Sequence, residues 1–375
     1  MSDSGIRITG VTVYITRIPV QAVHSHGIGD VGESVNVILR LDTDAGITGW
    51  GEGAPWAVFT GTAEANAAAL HVHLRPLLLG ADPFRVEWLM RRADQIVVRC
   101  GEAKAALETA LLDIVGKAKG MPVCDLLGGR FRGEIPLSFS IANPDFAEDL
   151  RMVRQLYGEG LRLFKVKTGF AGHREDMQRL ERLRAELPDD VDLRVDYNQG
   201  LEPWNALQQC REIERFRPTF IEQPVPGDQV EALAAIARAL DTPIMADESV
   251  FTPSDALRVA SLRAADLISV KIMKCGGLLR GRQIAGIAEA AGIACYGGDM
   301  FETGIAHLAG AHLIAATPNI SLGCEFYQAS YYLAEDLLAE PFPVRDGKVA
   351  VPTAPGLGIA VDEDRVRKYA TEVLR

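Results

Sequence analysis

The sequence predicts an α/β protein: a (β/α)8 barrel of the TIM type, preceded by a smaller α+β segment and followed by an irregular tail. Three observations lead there. From about Ile135 onward, eight short apolar runs recur at a near-constant interval, each followed by a charged amphipathic stretch, which is the alternation a βα-repeat barrel requires. The part before them reads first as strands and then as helices. At 375 residues, the chain also exceeds the roughly 250 to 300 at which one hydrophobic core stops growing, so a large barrel plus an appendage is expected.

The N-terminal runs ITGVTVYITRIPV and SVNVILRLDT alternate β-branched residues and are expected as strands. From about Thr62 the pattern turns Ala/Leu-rich at helical spacing. A helix is expected from about Lys104 to Lys119, with apolar residues three and four apart and Gly120 and Pro122 as the stop. The loop LLGGRFRGE then precedes the runs IPLSFSIA, LFKVK, LRVD, TFIE, IMAD, LISVK, IACYG and ISLGCE. Six end on Lys167, Asp196, Glu222, Asp247, Lys271 and Glu325, with gaps of 29, 26, 25, 24 and 54 residues, the last spanning two units. The Pro/Gly-rich, strand-like stretch AEPFPVRDGKVAVPTAPGLGIAVD leaves this rhythm and is expected to return to the N-terminal part.

With 48% hydrophobic and 24% charged residues, the composition is that of a folded globular chain and excludes disorder and collagen-like repeats. The 39 basic residues against 50 acidic ones, a net charge of −11, argue against nucleic acid or an anionic membrane as partner and leave a small ligand. Six cysteines without a CxxC pair fit a reducing compartment, so a cytoplasmic location is expected. MSDSGIRITG has no apolar signal region, and no run approaches the roughly 18 apolar residues of a membrane span.

Side chains at the C-terminal ends of barrel strands share one mouth, so polar residues that close apolar runs are site candidates. Taken singly, such residues are usually caps or solvated side chains. The ordered set is more specific. Asp196, Glu222 and Asp247 close three consecutive runs. Carboxylates brought side by side repel unless a cation lies between them, and oxygen-only ligation selects a hard ion such as Mg²⁺. Lys165 and Lys167 share a strand face before this set, and Lys271 follows it. A lysine facing the mouth beside a metal and other cations can have its pKa lowered enough to serve as a general base near neutrality, and two lysines on opposite sides of the metal would address two faces of one substrate. The metal would stabilise the enolate formed when a proton leaves the carbon next to a carboxylate.

The pieces KVK (165–167), VDYNQ (195–199), FIEQP (220–224), ADES (246–249), VKIMKCGG (270–277) and YGGDMFETGIAHLAGAH (296–312) together resemble the enolase superfamily in its muconate lactonizing enzyme subgroup. The resemblance runs over nearly the whole chain. It implies a modified (β/α)8 TIM barrel with an α+β N-terminal capping domain completed by the C-terminal tail, divided as 1–130, 131–340 and 341–375. It implies Mg²⁺ or Mn²⁺ held by Asp196, Glu222 and Asp247, acid/base roles for Lys167 and Lys271, and an ene-diolate stabilised by the metal. Lys271 is chosen over Lys274 because it closes its run 24 residues after Asp247. Lys165, Asn198, Glu248 and Glu325 are expected to touch substrate or support the ligands. Loops near His24 to Gly32 and Glu52 to Gly61 would reach over the mouth, with His24 and His26 against a carboxylate and Trp56 and Phe59 as walls. His71 and His73 are expected on a helix surface, and His307 and His312 as packing or supporting groups. A homo-oligomer is implied as well.

GIGDVG (27–32), with Glu52 twenty residues on, satisfies a dinucleotide fingerprint, but a strand-like run follows instead of a helix, which leaves no helix N-terminus for a pyrophosphate. A Gly-rich lid suits the same residues. The eighth run bears on the reaction. Dipeptide epimerases resembling this subgroup carry Asp-x-Asp there, whereas this chain has Gly323-Cys324-Glu325. A single Glu looks more like the muconate-cycloisomerising members, with Glu325 orienting Lys271 or relaying protons. A muconate-type cycloisomerase is therefore the first reading. A racemase or epimerase of an N-substituted amino acid or proline derivative, or an acid dehydratase, is the second. A non-catalytic binding barrel is disfavoured because all five metal and lysine positions are occupied.

Overall fold

The protein is described by a computed structural model over residues 4–375. Strands β1 (Ile8–His26), β2 (Gly29–Thr43) and β3 (Thr48–Gly53) form an antiparallel sheet, and the C-terminal strand Ala370–Leu374 pairs with the free edge of β1. Alternation sorts its side chains onto two buried faces. Val13, Val37, Leu39 and Leu41 pack against the helices that follow, while Tyr14, Ile18, Ile38 and Trp50 join the apolar cluster of the barrel. The sheet is thus an inner layer, a cap pressed onto the barrel.

The expected long helix runs from Gly101 to Lys119, three residues longer at its start, and ends on Gly120 at φ 67°, the left-handed conformation glycine favours in this position. Thr62 caps the first helix by accepting from the Ala65 amide.

After β4 (Glu134–Pro136), the eight expected runs form β5 (Ser138–Ile141), β6 (Leu163–Lys167), β7 (Asp192–Asp196), β8 (Ile221–Glu222), β9 (Ile244–Ala246), β10 (Leu267–Val270), β11 (Ala294–Gly297) and β12 (Ile320–Cys324). They pair in sequence order, all parallel, and a bridge between Leu137 and Cys324 brings the last strand to the first. The barrel interior is filled. The Arg194 guanidinium lies 5.1 Å from the ring centres of both Phe220 and Tyr296, and the Lys165 ammonium 5.4 Å from Tyr296.

The tail pairs a short hairpin, Val344–Arg345 with Lys348–Ala350, against β4. It then meets the barrel helix Gly304–Ala316 and the long cap helix together: the Leu357 amide donates to Asp113 (2.9 Å) and its carbonyl accepts from His312 Nε2 (3.1 Å). One expectation needs correction. The segment from His24 to Gly32 is not a loop, since β1 continues to His26 and β2 begins at Gly29, a tight turn joining them. The ladder skips between Pro19 and His24 and resumes with His24 opposite Val31. Among the described residues, no helix is long and apolar enough to cross a membrane.

Candidate active site

The strand register sets the site. Lys167, Asp196 and Glu222 end β6, β7 and β8 and are direct ladder neighbours, Lys167 with Asp196 and Asp196 with Glu222. Asp247, Lys271 and Glu325 each come one residue after β9, β10 and β12. All six are buried at the C-terminal mouth. Lys167 and Lys271 reach one cavity from strands four positions apart in the eight-strand ring, hence from opposite sides.

Ion pairs knit the ring. Lys167 Nζ is 2.7 Å from Asp196 Oδ2, and Lys271 Nζ is 2.6 Å from Asp247 Oδ2. Lys165, two residues before Lys167 and so one layer deeper, spans Glu325 (2.6 Å), Glu222 (2.8 Å) and Asp196 (3.2 Å). Lys274 donates to Asp247 Oδ1 (2.5 Å) and to the carbonyls of Asp247 (2.5 Å) and Ser269 (3.1 Å), which uses all three of its donors. Lys274 therefore holds Asp247 in place, and Lys271 is the lysine on the cavity wall. Glu325 contacts Lys165 and Ser140 and lies 3.9 Å from Lys167. It supports that lysine pair, a different partner from the Lys271 expected for it.

Electrostatics follow from burial and this surplus of carboxylates. Burial, then Asp196, pushes Glu222 up to about 7 against the pull of Lys165. Burial, then Asp247 and Asp196, pushes Glu248 up to about 8. Burial alone would raise Asp196, yet Lys167 and Lys165 hold it below the usual carboxylate range. Burial pulls Lys271 down, but Asp247, Glu222 and Glu248 outweigh that and hold it above the ordinary lysine range.

The donor set fits a hard cation. Asp196, Glu222 and Asp247 offer only oxygen, Glu222 Oε1 and Glu248 Oε2 have no hydrogen-bond partner, and Asp247 Oδ2 meets Lys271 as a close ion pair without hydrogen-bond geometry. A more compact trio also stands at the mouth: Asp299, Glu302 and His307, whose ligand-type atoms lie within 4.8 Å of one another. His307 Nε2 is 3.3 Å from Asp299 Oδ2 and 3.6 Å from Glu302 Oε2. Burial pulls His307 down, but hydrogen bonds to Asp299 and Glu302 dominate and raise it to about 9. Burial pushes its partner Asp299 well above the usual carboxylate range despite the hydrogen bond to His307, so the buried pair keeps at least one proton between them.

The cap supplies His26, Trp56 and Phe59, and the loops after β11 and β12 supply Asp299, Phe301 and Tyr327, to the same cavity. Asn198, at φ 42°, donates its amide to Asp196 Oδ1 (2.8 Å) and its side chain to Glu248 Oε1 (3.3 Å), and faces His26 Nδ1 at 3.4 Å. Burial, then Lys167, keeps His26 well below its ordinary value, so it is neutral. His24 is set back behind the wall, its ring 4.2 Å from Tyr332 and its Nδ1 3.2 Å from the Tyr327 hydroxyl. Of the two histidines, His26 is the one on the cavity. Gly27 belongs to a close approach: a Cβ there would lie 2.2 Å from the Tyr197 carbonyl at the end of β7. Gly298 likewise leaves the space that Lys271 occupies, since a Cβ would come within 2.9 Å of its Cε. Sequence reasoning missed Asp299 as a wall residue, although its place just past the seventh run carried the same strand-end signal.

Family models match over most of the chain: "Mandelate racemase / muconate lactonizing enzyme, N-terminal domain" over residues 8–128 and "Enolase C-terminal domain-like" over 148–365. Muconate cycloisomerase 1 of Rhodococcus opacus is 33% identical, covering 97% of this chain and 98% of its own. N-succinyl-L-Arg/Lys racemase of Bacillus cereus is 32% identical over 97% and 98%. Among solved structures, a muconate cycloisomerase from Azorhizobium caulinodans has a TM-score of 0.85 at 48% identity, covering 98% of this chain and 99% of that one. A muconate lactonizing enzyme from Pseudomonas fluorescens complexed with muconolactone reaches 0.94 at 33% identity, over 97% and 99%.

Proposed function

The chain belongs to the mandelate racemase/muconate lactonizing enzyme family of the enolase superfamily, and from that premise we propose that it is an isomerase which moves a proton at the carbon next to a substrate carboxylate, with Lys167 and Lys271 as the acid/base pair. The observation that carries the reading is that these two lysines face one cavity from opposite sides of the barrel. Asp196, Glu222 and Asp247 would hold the divalent ion, Mg²⁺ or Mn²⁺, which when bound supplies electrostatic stabilisation of the enolate.

The protein's own groups do the rest. Either ammonium gives a proton to the face of the planar carbon it overlooks, and the corresponding free amine takes one from that face. Lys165 and Glu325 fix the Lys167 side, and Lys274 fixes Asp247 beneath Lys271. Trp56, Phe59 and Phe301 exclude water. His26, neutral and with Nε2 unpartnered, offers the substrate a hydrogen bond from above.

Two overall reactions use this machinery. The names of several relatives favour cycloisomerisation of an unsaturated dicarboxylate such as cis,cis-muconate. Racemisation or epimerisation of an amino-acid derivative is favoured by a specific feature, a lysine on each face with the acid Asp299 on the wall. Proton NMR in D₂O with Mg²⁺-loaded protein separates them: lactone appearing from muconate supports the first, deuterium entering the α-carbon of a chiral amino-acid derivative supports the second. A wild-type-active Lys167→Ala variant would remove Lys167 from the mechanism.

A further inference from the structure

The carboxylates proposed to hold the metal end β7, β8 and β9. The wall of the mouth next to Lys271 is built by the segment after β11, four strands from β7, three from β8 and two from β9. Asp299 stands on that wall and lines the cavity. Its Oδ2 is tied at 3.3 Å to His307 Nε2, and the buried His307 ring is itself stacked on Phe326 with centroids 5.0 Å apart. The carboxylate is thus fixed from behind.

Beside it the walls are aromatic and mutually edge-on. Ring centroids of Trp56 and Phe301 are 5.5 Å apart at 86°, His26 and Phe301 5.6 Å at 82°, and His26 and Trp56 5.2 Å at 63°. His26 Nε2 is buried there without a partner. The cap locks this wall, since the Phe301 carbonyl accepts from Ser34 (2.6 Å) and Asn36 (3.0 Å) of β2. Electron-rich rings around a carboxylate attract an alkylammonium. Burial pushes Asp299 well above the usual carboxylate range against the pull of His307; a substrate cation beside it favours its ionised form, and a second substrate carboxylate opposes that form. Among the described residues lining the cavity there is no arginine, and the cationic side chains are Lys167 and Lys271, both assigned to the proton transfer.

We infer that the part of the cavity lined by Asp299 and the cap aromatics is a subsite for a cationic nitrogen, with Asp299 as its counter-ion and Trp56 and Phe301 as its walls. The substrate is then a small carboxylate bearing an ammonium, tertiary or quaternary included, a few atoms from the carbon that loses its proton. This rests on the enolate reading for where the carboxylate end lies, and it names the substrate class.

The test is a pair of isosteric probes on the Mg²⁺-loaded protein: glycine betaine, with a trimethylammonium group, and 3,3-dimethylbutyrate, with a neutral tert-butyl group in its place. Binding is read by tryptophan fluorescence and calorimetry. Wild type is expected to bind the betaine at least about tenfold more tightly, and Asp299→Asn, which keeps the side-chain volume, to bring the two within about threefold. Equal or tighter binding of the neutral probe by wild type, or an undiminished preference in a folded Asp299→Asn, overturns the inference. α-Proton exchange is measured in parallel. Preference without exchange on any carboxylate leaves the subsite standing and removes the enolate reading, whereas exchange without preference does the reverse.

Discussion

Glu52 on β3 and Thr303 at the start of the helix Gly304–Ala316 join the cap to the barrel: the Thr303 amide donates to Glu52 Oε1 at 2.8 Å and its hydroxyl to Oε2 at 2.7 Å. The same carboxylate accepts from the Ala306 amide (3.0 Å) and the Asn36 side chain (2.8 Å). It therefore caps a barrel helix from another part of the fold. Glu52→Ala leaves these buried donors without an acceptor and is expected to cost about 3 kcal/mol or more of unfolding free energy. Urea denaturation checks it, and a loss below about 1 kcal/mol would mean the joint is unimportant.

Gly298 sets the position of Lys271. A Cβ there would lie 2.3 Å from Ser269 Oγ and 2.9 Å from Lys271 Cε, so Gly298→Ala displaces the ammonium. A displacement near 1 Å is expected to lower kcat by about 100-fold with a smaller effect on KM. Steady-state kinetics on a folded variant decides, and wild-type kcat would show that the lysine has slack.

Ligation by Asp196, Glu222 and Asp247 makes metal a stabilising ligand. Saturating Mg²⁺ at about 1,000 times its Kd adds about 4 kcal/mol by mass action, visible as a rise in Tm. Glu222→Gln and Asp247→Asn are expected to abolish most of that rise. An undiminished rise in both would place the ion elsewhere, with the Asp299, Glu302 and His307 trio the first alternative.

His312 gives a pH dependence away from the site. It accepts from the Cys124 amide (3.3 Å) and donates to the Leu357 carbonyl (3.1 Å), which requires the neutral ring, and burial lowers it to about 4. Because the folded value lies below the ordinary 6.5, the folded state resists the proton. The stability is complete above about 6.5 and is lost as pH falls through about 4, by roughly 3 kcal/mol. The Tm difference between wild type and His312→Gln is therefore expected to narrow from pH 7.5 to pH 4.5. A constant difference would contradict it.

Much of this was legible in the sequence because barrel strands are short, apolar and regularly spaced. LFKVK, LRVD and LISVK announce strands, and the charged residues that close them can face only the shared mouth. What sequence could not resolve depends on geometry between distant segments. His24 and His26 have the same strand parity and both follow the skip in the ladder, yet only His26, at the strand end, lines the cavity. Asp299 and His307 meet through a loop and the first turn of a helix, a pairing no periodicity encodes. Glu325 was placed by spacing but not paired, since its partner Lys165 comes from β6, the neighbour of β5 across the closing bridge.

The central claim, that Lys167 and Lys271 work on opposite faces of one α-carbon, is tested most directly by following deuterium exchange into each enantiomer of a cationic amino-acid derivative with wild type, Lys167→Ala and Lys271→Ala. Wild type is expected to exchange both enantiomers. Each variant is expected to lose interconversion yet keep exchange on one enantiomer, the opposite one in the two cases. Either variant exchanging both enantiomers at the wild-type rate would contradict the account.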